Sequence, residues 1–309
     1  MDENTTINLD EITEIVIRVS SQLKEYASNN FLPVVLSKRG SAYVVKYGNI
    51  VAKIHSTSTD IIELKSRIDL IGQESICNFF LQPLLRKVEI VKGRLLTLWP
   101  AGLTSESASV DRLDWKEHAL LLAEFHKASF RIENKEQVLA KAGNEFRLQR
   151  MHSRFQASKN CKEKNYVLGA FSTLTFADSK HGQNNACHVI HGDWHPGQVV
   201  QYNDNAKLID IDDVGIGNPA WDLARPAAWY LASFLSDSIW QDFLDSYRDA
   251  GGPAIKGKNP WEFLELPART VVIQSAAKAL IDTQTETRLL DDFELELINM
   301  CRRIQALHA

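Results

Sequence analysis

The chain has 309 residues, of which 44% are hydrophobic and 24% are charged. This composition is ordinary for a folded globular protein and excludes wholesale disorder, a collagen-like repeat and a disulfide scaffold. The 35 basic and 39 acidic residues give a formal net charge of −4. Such a balance argues against a nucleic acid or an anionic membrane surface as the partner.

The N-terminus and the cysteines indicate the compartment. The first residues, MDENTTINLDE, are acidic where a signal peptide would be basic and then apolar. No apolar run approaches the roughly 18 residues needed to span a bilayer. The four cysteines are scattered without a CxxC pair, so neither a disulfide framework nor a zinc knuckle is indicated. We therefore expect a cytoplasmic protein.

The hydrophobic periodicity predicts secondary structure that changes in character along the chain. The first third alternates helices with β-strands, at 9–28 (helix), 33–37, 42–47 and 50–55 (strands), 59–72 (helix), and 88–91 and 94–99 (strands). Pro100-Ala101-Gly102 then breaks the pattern and marks a domain boundary. The remainder is mostly helical, at 111–129, 133–180, 219–250 and 260–307, with an island of strands at 187–213. The pattern predicts an α+β fold with a strand-rich N-terminal lobe (1–100) and a larger helical lobe (101–309).

The segment from Ala186 to Ala224 carries the most informative motif. A short apolar strand leads into HGDWHPGQ, where Gly and Pro exclude regular structure. A hairpin follows, and its second strand ends in the acids Asp210, Asp212 and Asp213. Because a hairpin returns the chain to its starting point, Asp193, Gln198 and Asp210 are expected to converge. Oxygen donors of this kind suit Mg²⁺, and a loop carboxylate beside Mg²⁺ is what phosphoryl transfer requires.

HGDWHPGQ followed by LIDIDDVGIGNPAWDLA resembles the signature of the aminoglycoside phosphotransferase and choline kinase family. The resemblance implies a two-lobed fold like that of protein kinases, with ATP and Mg²⁺ as cofactors. It further implies that Asp193 is the catalytic base and that Asp210 binds the metal. Gln198 stands where the family usually has Asn, and Asp212 is a further candidate for the metal or its waters. Asp222 is expected to tie down the loop.

The small lobe contains further residues that fit the resemblance. IVAKI at 50–54 supplies Lys53, the strand lysine that would hold the ATP phosphates. We expect Lys53 to pair with a helix glutamate, either Glu63 or Glu74.

Two further segments complete the predicted nucleotide site. Gly40 and Ser41 stand at a turn between two strands that would cover the phosphates. Leu98 and Trp99 fall where the resemblance places the hinge, whose backbone would meet the adenine.

The acceptor is predicted to be a small hydroxylated molecule. An aminoglycoside-like or other cationic antibiotic comes first, from the resemblance, with choline, another amino alcohol or a sugar as alternatives. Residues 229–309 hold 12 acidic and 8 basic residues and so account for the whole charge excess, which favours a cationic acceptor. The aromatic residues of the helical lobe form either a choline cage or core; they are Trp221, Trp229, Tyr230, Phe234, Trp240, Phe243 and Tyr247.

Two alternatives come from other classes. His188, His191, Asp193 and His195 would be the ligands of a metal-dependent hydrolase, although Gly192 and Pro196 exclude the helix on which an HExxH site depends. A pseudokinase would bind nucleotide without turnover.

Overall fold

The computed structural model describes residues 9–22, 32–104, 112–130, 132, 142, 144–174 and 188–307. These residues form two units. The first holds the described residues up to 104 together with 199–212, and the second holds those of 112–198 and 213–307. The hairpin segment 199–212, which the sequence assigned to the helical lobe, therefore belongs to the strand-rich unit.

The secondary structure has the following bounds. The strands of the described residues are β1 (Pro33–Arg39), β2 (Ala42–Tyr47), β3 (Ile50–Ile54), β4 (Glu89–Val91), β5 (Arg94–Pro100), β6 (Leu103–Thr104), β7 (His188–Ile190), β8 (Val199–Tyr202), β9 (Asn205–Leu208) and β10 (Gly215–Gly217). The helices are α1 (Leu9–Gln22), α2 (Ile61–Ile71), α3 (Trp115–Ser129), α4 (Asn144–Gln156), α5 (Lys162–Ser172), α6 (Ala224–Leu231), α7 (Asp237–Asp249), α8 (Trp261–Glu286) and α9 (Asp292–Leu307). None of the described helices is both long and apolar enough to cross a bilayer.

The first unit is built on an antiparallel sheet with the strand order β1-β2-β3-β5-β4. Ile12, Val16 and Val19 recur at helical spacing, and α1 packs this apolar side into a buried core with sheet residues. A second sheet in the same unit has the order β6-β8-β9. The turn between β8 and β9 is made by Asn203 and Asp204, which both have positive φ angles (49° and 61°), as a tight hairpin requires.

The second unit is mainly helical. β7 pairs with β10 in a short antiparallel ladder that leads into the loop after Ile190. Beyond it, the predicted helix at 219–250 is interrupted: Ser233 has a left-handed φ of 61° after α6, and the Ser236 side chain then caps the start of α7. Trp194, in the loop after β7, stacks on Phe243 of α7 with 6.0 Å between ring centroids, which anchors the loop on this helix.

Candidate active site

Lys53 lies on β3, where alternate side chains face opposite sides of the sheet. Ile50 and Ile54 are buried in the core, and Lys53 lies on the other face. Its Nζ atom is 2.5 Å from Asp210 Oδ1 and 2.8 Å from Asp212 Oδ2. Burial lowers the pKa of Lys53, but these two carboxylates more than offset that effect and raise the pKa above its ordinary value. The lysine is therefore held in its charged form between two acids.

The two carboxylates follow β9 in the same unit. Asp210 has a left-handed φ of 63°, so the chain turns sharply between β9 and Asp212. Burial raises the pKa of Asp212, but the charges of Lys53 and His55 reverse this effect and leave the pKa below its ordinary value. Both acids thus meet one cation from neighbouring positions in the chain.

Asp210 and Asp212 supply the type of oxygen donor that a magnesium ion takes. The carboxylates of Asp210 and Asp212 already converge on the positive charge of Lys53, and carboxylate oxygen is the ligand that Mg²⁺ prefers. Gln198, the third predicted ligand, lies in the second unit at the end of a short 3₁₀ turn, where its backbone N–H donates to the His195 carbonyl. Among the described residues there is no group of three or more His, Cys, Asp and Glu side chains that could hold a metal ion.

The predicted partner of Lys53 is wrong. Glu63 lies in the first turn of α2, where its carboxylate is 3.4 Å from Arg67 Nη2 and largely exposed. The reason is positional: the Asp60 cap fixes the start of α2, and Asp210 and Asp212 occupy the lysine. The ion pairs that the described residues give Lys53 are with Asp210 and Asp212, and Glu74 is not among its partners either. The predicted role of Glu63 in nucleotide binding therefore gains no support from a pairing with Lys53.

Gly40 and Ser41 form the turn between β1 and β2. Gly40 has a φ of 59° and open space around the position of a Cβ atom, so the residue serves the turn. The Ser41 Oγ atom accepts the Thr57 N–H at 3.1 Å. The guanidinium of Arg94 donates to the carbonyls of Ser41 and His55. The turn is thus tied to the segment that follows Lys53, and its role over the phosphates stays a prediction.

Leu98 and Trp99 lie inside β5, opposite Ala52 and Val51 of β3. The carbonyl of Leu98 accepts the N–H of Leu84 at 2.8 Å, so this backbone group already has a partner within its own unit. An adenine contact at these two residues stays a prediction.

The sequence did not single out His55, which the structure places beside the Lys53 cluster. His55 is fully buried, and its Nδ1 atom is 3.3 Å from Asp212 Oδ1. Its Nε2 atom is 2.8 Å from Thr97 Oγ1, which also accepts the indole N–H of Trp99. The signal was available, because His55 stands two residues after Lys53 and so continues the same face of the strand.

The loop after β7 is anchored by Asp222, as the sequence predicts. The fully buried Asp222 carboxylate accepts the backbone N–H groups of His191 (2.7 Å) and Gly192 (2.8 Å). His126 Nε2 contacts the same carboxylate at 2.9 Å, and the other ring nitrogen of His126 is 2.8 Å from the Tyr247 hydroxyl. The chain immediately before Asp193 is therefore fixed by a buried hydrogen-bond network.

Asp193, the predicted catalytic base, lies between two arginines. Arg225 Nη2 is 2.9 Å from its Oδ1 atom, and Arg147 Nη1 is 3.1 Å from its Oδ2 atom. Burial raises the pKa of Asp193, but Arg147, Arg225 and His195 outweigh burial, and the pKa lies below its ordinary value. Arg147 also binds Asp213 (2.7 Å) and the Gly192 carbonyl (2.9 Å). Asp193 is thus an ionised, partly accessible carboxylate with a guanidinium on each oxygen.

Neither arginine is predicted from the sequence. Arg225 directly follows the WDLA motif, so its place in the first turn of α6 close to the loop was a signal that could have been used. No sequence signal pointed to Arg147, because this residue lies on α4, is far from the loop in sequence and belongs to no motif. The third acid of the cluster, Asp213, pairs with Arg147, whereas Asp210 and Asp212 pair with Lys53.

The histidines of the alternative hydrolase site have other contacts. His188 Nδ1 is 2.9 Å from the carbonyl oxygen of His126, and His195 Nδ1 accepts the N–H of Gly197 at 3.1 Å. These are contacts that shape the backbone, and they do not favour the hydrolase.

Comparison with solved structures defines the class of fold. The chain has the two-lobed α+β fold of kinases that act on small molecules, with an antiparallel five-stranded sheet in its N-terminal part. No protein-family model and no curated protein sequence matches the chain. The likeness therefore rests on structure, and at these identities it establishes the fold.

Three solved structures represent this class. The chain matches the aminoglycoside phosphotransferase APH(4)-Ia with a TM-score of 0.62 and 12% identity, over 98% of this chain and 100% of the other. It matches an amicoumacin kinase in complex with AMP-PNP, Ca²⁺ and Ami with a TM-score of 0.62 and 17% identity, over 96% of each chain. It matches a choline kinase from Cryptosporidium parvum with a TM-score of 0.63 and 12% identity, over 97% of this chain and 95% of the other.

Proposed function

We propose that this protein is a phosphotransferase that moves the γ-phosphate of ATP onto a hydroxyl group of a small molecule. The observation that carries the proposal is the cluster of Lys53, Asp210 and Asp212, in which a strand lysine holds two carboxylates within 2.8 Å. A cation and two acids in this arrangement suit the phosphates and the metal of Mg·ATP. The fold likeness to small-molecule kinases supports the same reading.

Each residue has a distinct part in this proposal. Lys53 would exchange its carboxylate partners for the ATP phosphates. Asp210, Asp212 and Gln198 would hold Mg²⁺, which supplies charge neutralisation on the phosphates. Asp193 would accept the hydrogen bond of the acceptor hydroxyl and orient its oxygen toward the phosphorus. Catalysis then comes mainly from positioning and electrostatics.

The sequence resemblance favours an aminoglycoside-like acceptor. Structures similar to this chain include APH(4)-Ia with AMP-PNP and hygromycin B and a spectinomycin phosphotransferase with ADP and its antibiotic. For the choline alternative, an accessible aromatic cage is needed. Trp240, Phe243 and Tyr247 are buried core residues, whereas Trp221 is half-buried and lines a cavity with Asp193, so choline stays among the acceptors to be tested. Hygromycin B, spectinomycin, choline and a set of sugars and hydroxy acids therefore make a sensible acceptor panel.

The test of the proposed function is the substitution Asp193→Ala. We expect kcat to fall by about 10²–10⁴-fold, because removal of a positioned base costs that much in related chemistry. Binding of Mg·ATP should persist, since Asp193 acts on the acceptor. Coupled-enzyme assays of ADP formation with the most active acceptor, and calorimetry with Mg·AMP-PNP, measure the two quantities.

The matched control is Asp245→Asn, which removes an exposed carboxylate on α7 and should leave kcat unchanged. Wild-type turnover by Asp193→Ala would refute the role of Asp193. Mg·AMP-PNP binding by the wild type without ADP formation on any acceptor would indicate a pseudokinase.

A further inference from the structure

A cavity in the second unit opens beside Asp193. Its walls include Arg147, Asp193, Trp194, Arg225 and Gln274. The side chains of Asp193 and Arg225 are 29% and 26% exposed, so a ligand in the cavity reaches both. The cavity therefore presents the predicted base together with two guanidinium groups.

The two arginines differ in how far their donors are used. Arg147 spends Nη1 on Asp193 and Asp213 and Nη2 on the Gly192 carbonyl. Within the described residues, Arg225 makes one hydrogen bond, from Nη2 to Asp193, and its buried Nε–H has no hydrogen-bond partner. Arg225 thus keeps donors for a further acceptor of hydrogen bonds.

A second residue of the cavity wall also has a buried N–H group without a hydrogen-bond partner. Trp194 is 1% exposed, and its indole Nε1 has no hydrogen-bond partner within the described part of the chain. A buried N–H without an acceptor is costly. Both side chains line the cavity, but the Trp194 Nε1 atom is buried and closed to a ligand. The Arg225 side chain is 26% exposed, so its guanidinium is the group that can donate to a ligand rich in oxygen acceptors.

The acidic residues that favoured a cationic acceptor lie elsewhere. Many of those within 229–309 pair with nearby bases, in the pairs Asp242–Lys116, Asp245–Arg248, Glu265–Arg269, Asp282–Lys278, Glu294–Arg288 and Glu296–Arg303. None of these acids is among the residues that line the cavity beside Asp193. Their charge is used on helix surfaces and does not reach the lining of this cavity.

We infer that the acceptor carries an anionic group, a carboxylate or a phosphate, which Arg225 binds beside the hydroxyl that Asp193 orients. This inference rests on the proposed phosphotransferase function and names the substrate class of the same site. It departs from the cationic antibiotic that the sequence resemblance favours.

The anionic group also affects the base. In the structure Arg225 holds Asp193 Oδ1, and Arg147 holds Oδ2. An anion that draws Arg225 away leaves Oδ1 to accept the hydroxyl proton. The acceptor oxygen then forms a bond to the γ-phosphorus, the bond from that phosphorus to the bridging oxygen breaks, and ADP leaves with the electron pair. The acceptor's own charge thus prepares Asp193 for its step.

The first experiment compares acceptors that differ in one group. The pairs are glucuronate with glucuronamide, glycerate with glyceramide, and glucose 6-phosphate with glucose; glucosamine and hygromycin B are the cationic members. We expect an anionic member to exceed its neutral partner by about tenfold in kcat/KM, since charge-assisted hydrogen bonds are about twice as strong as neutral ones. Thermal shifts at constant ionic strength measure binding of the same probes without turnover.

The second experiment assigns the preference to Arg225. Arg225→Gln should remove the difference between the members of a pair, and Arg225→Lys should keep part of it. Arg303→Gln, which neutralises an exposed arginine on α9, should leave the difference intact. If Arg225 had a purely structural role, its substitution would lower kcat/KM equally for all acceptors. The ratio of kcat/KM within a pair therefore separates the two roles.

The outcomes separate this inference from the proposed function. Turnover with neutral or cationic acceptors preferred, or no difference within any pair in rate and thermal shift, overturns the anionic acceptor and leaves phosphoryl transfer standing. A charge-dependent thermal shift that Arg225→Gln abolishes, with no ADP formed from any acceptor, supports the anion site and overturns the phosphotransferase. A preference that survives in Arg225→Gln also overturns the inference.

Discussion

Asp222 shows how one buried carboxylate can hold a catalytic loop. Its two oxygens accept two backbone N–H groups, from His191 and Gly192, and contact His126 Nε2. An amide in this place offers one acceptor oxygen, and its NH₂ group faces a donor instead of an acceptor. The loss is therefore larger than that of a single hydrogen bond.

We predict that Asp222→Asn lowers the free energy of unfolding by about 2–4 kcal/mol. The rate should fall as well, because Gly192 precedes Asp193 and loses its anchor. Urea unfolding and kcat measure the two effects, with Asp242→Asn on the exposed face of α7 as the control. An unfolding free energy within 0.5 kcal/mol of the wild type, the ordinary range of surface substitutions, would contradict the role of Asp222.

At the scale of residues, the sequence predicted which side chains belong to the site better than it predicted which of them pair with each other. Lys53 and Asp210 were chosen from motifs, and the structure brings them together. Glu63 was chosen because it starts the next helix, yet the left-handed turn at Asp210 lets two acids occupy the lysine first. Arg147 and Arg225 could not be paired with Asp193, because the contacts depend on how α4 and α6 pack around the loop.

Among the elements, the loop after β7 depends most on one backbone conformation. Gly192 has a φ of 82°, and a Cβ atom at this position would lie 2.3 Å from the carbonyl oxygen of Asp213. The side chain would therefore meet both an unfavourable backbone conformation and a backbone atom that has little room to move.

We predict that Gly192→Ala destabilises the protein by about 1–3 kcal/mol beyond Gly257→Ala. Gly257 is the matched control, because its φ is 80° and nothing lies within 4 Å of its Cβ position. Gly192→Ala should also lower kcat by displacing Asp193, whereas Gly257→Ala should not. Thermal unfolding and steady-state kinetics of both variants test the comparison, and equal losses in the two would refute it.

Element types were more predictable than their associations. The strand pair closed by Gly48 and Asn49 forms, with Tyr47 opposite Ile50, because its turn signal is local. The predicted helix at 219–250 divides into α6 and α7, since Ser233 and Ser236 end one helix and start the next. Pairing of β6 with β8 joins residues about a hundred positions apart, and no local pattern specifies such a contact. Residues 23–28 of the helix predicted at 9–28 lie outside the described residues, as do residues 133–141, 143 and 175–180 of the segment predicted at 133–180.

For the molecule as a whole, two partly exposed acids and one lysine, each in ion pairs, contribute to the response of stability to pH. Asp193 and Asp212 have a pKa below the ordinary value of 3.8, and Lys53 has a pKa above its ordinary value of 10.5. A depressed acid gives stability that is complete above its unfolded pKa and is lost as the pH falls through the folded one. A raised lysine gives stability that is complete below its unfolded pKa and is lost as the pH rises through the folded one.

We predict that these groups leave the melting temperature nearly constant between about pH 5 and pH 9, and that it falls steeply below about pH 4 as the two carboxylates are protonated. Asp193→Asn and Asp212→Asn should each have a lower melting temperature than the wild type at pH 7. Between pH 5 and pH 3 their melting temperatures should fall less than that of the wild type, because each variant lacks one carboxylate whose protonation opposes folding. Asp245→Asn, on the surface of α7, should follow the wild type throughout. Calorimetric scans at pH 3, 4, 5, 7 and 9 measure the curves, and parallel acid limbs for wild type and Asp193→Asn would show that the arginine pairs of Asp193 contribute nothing to acid stability.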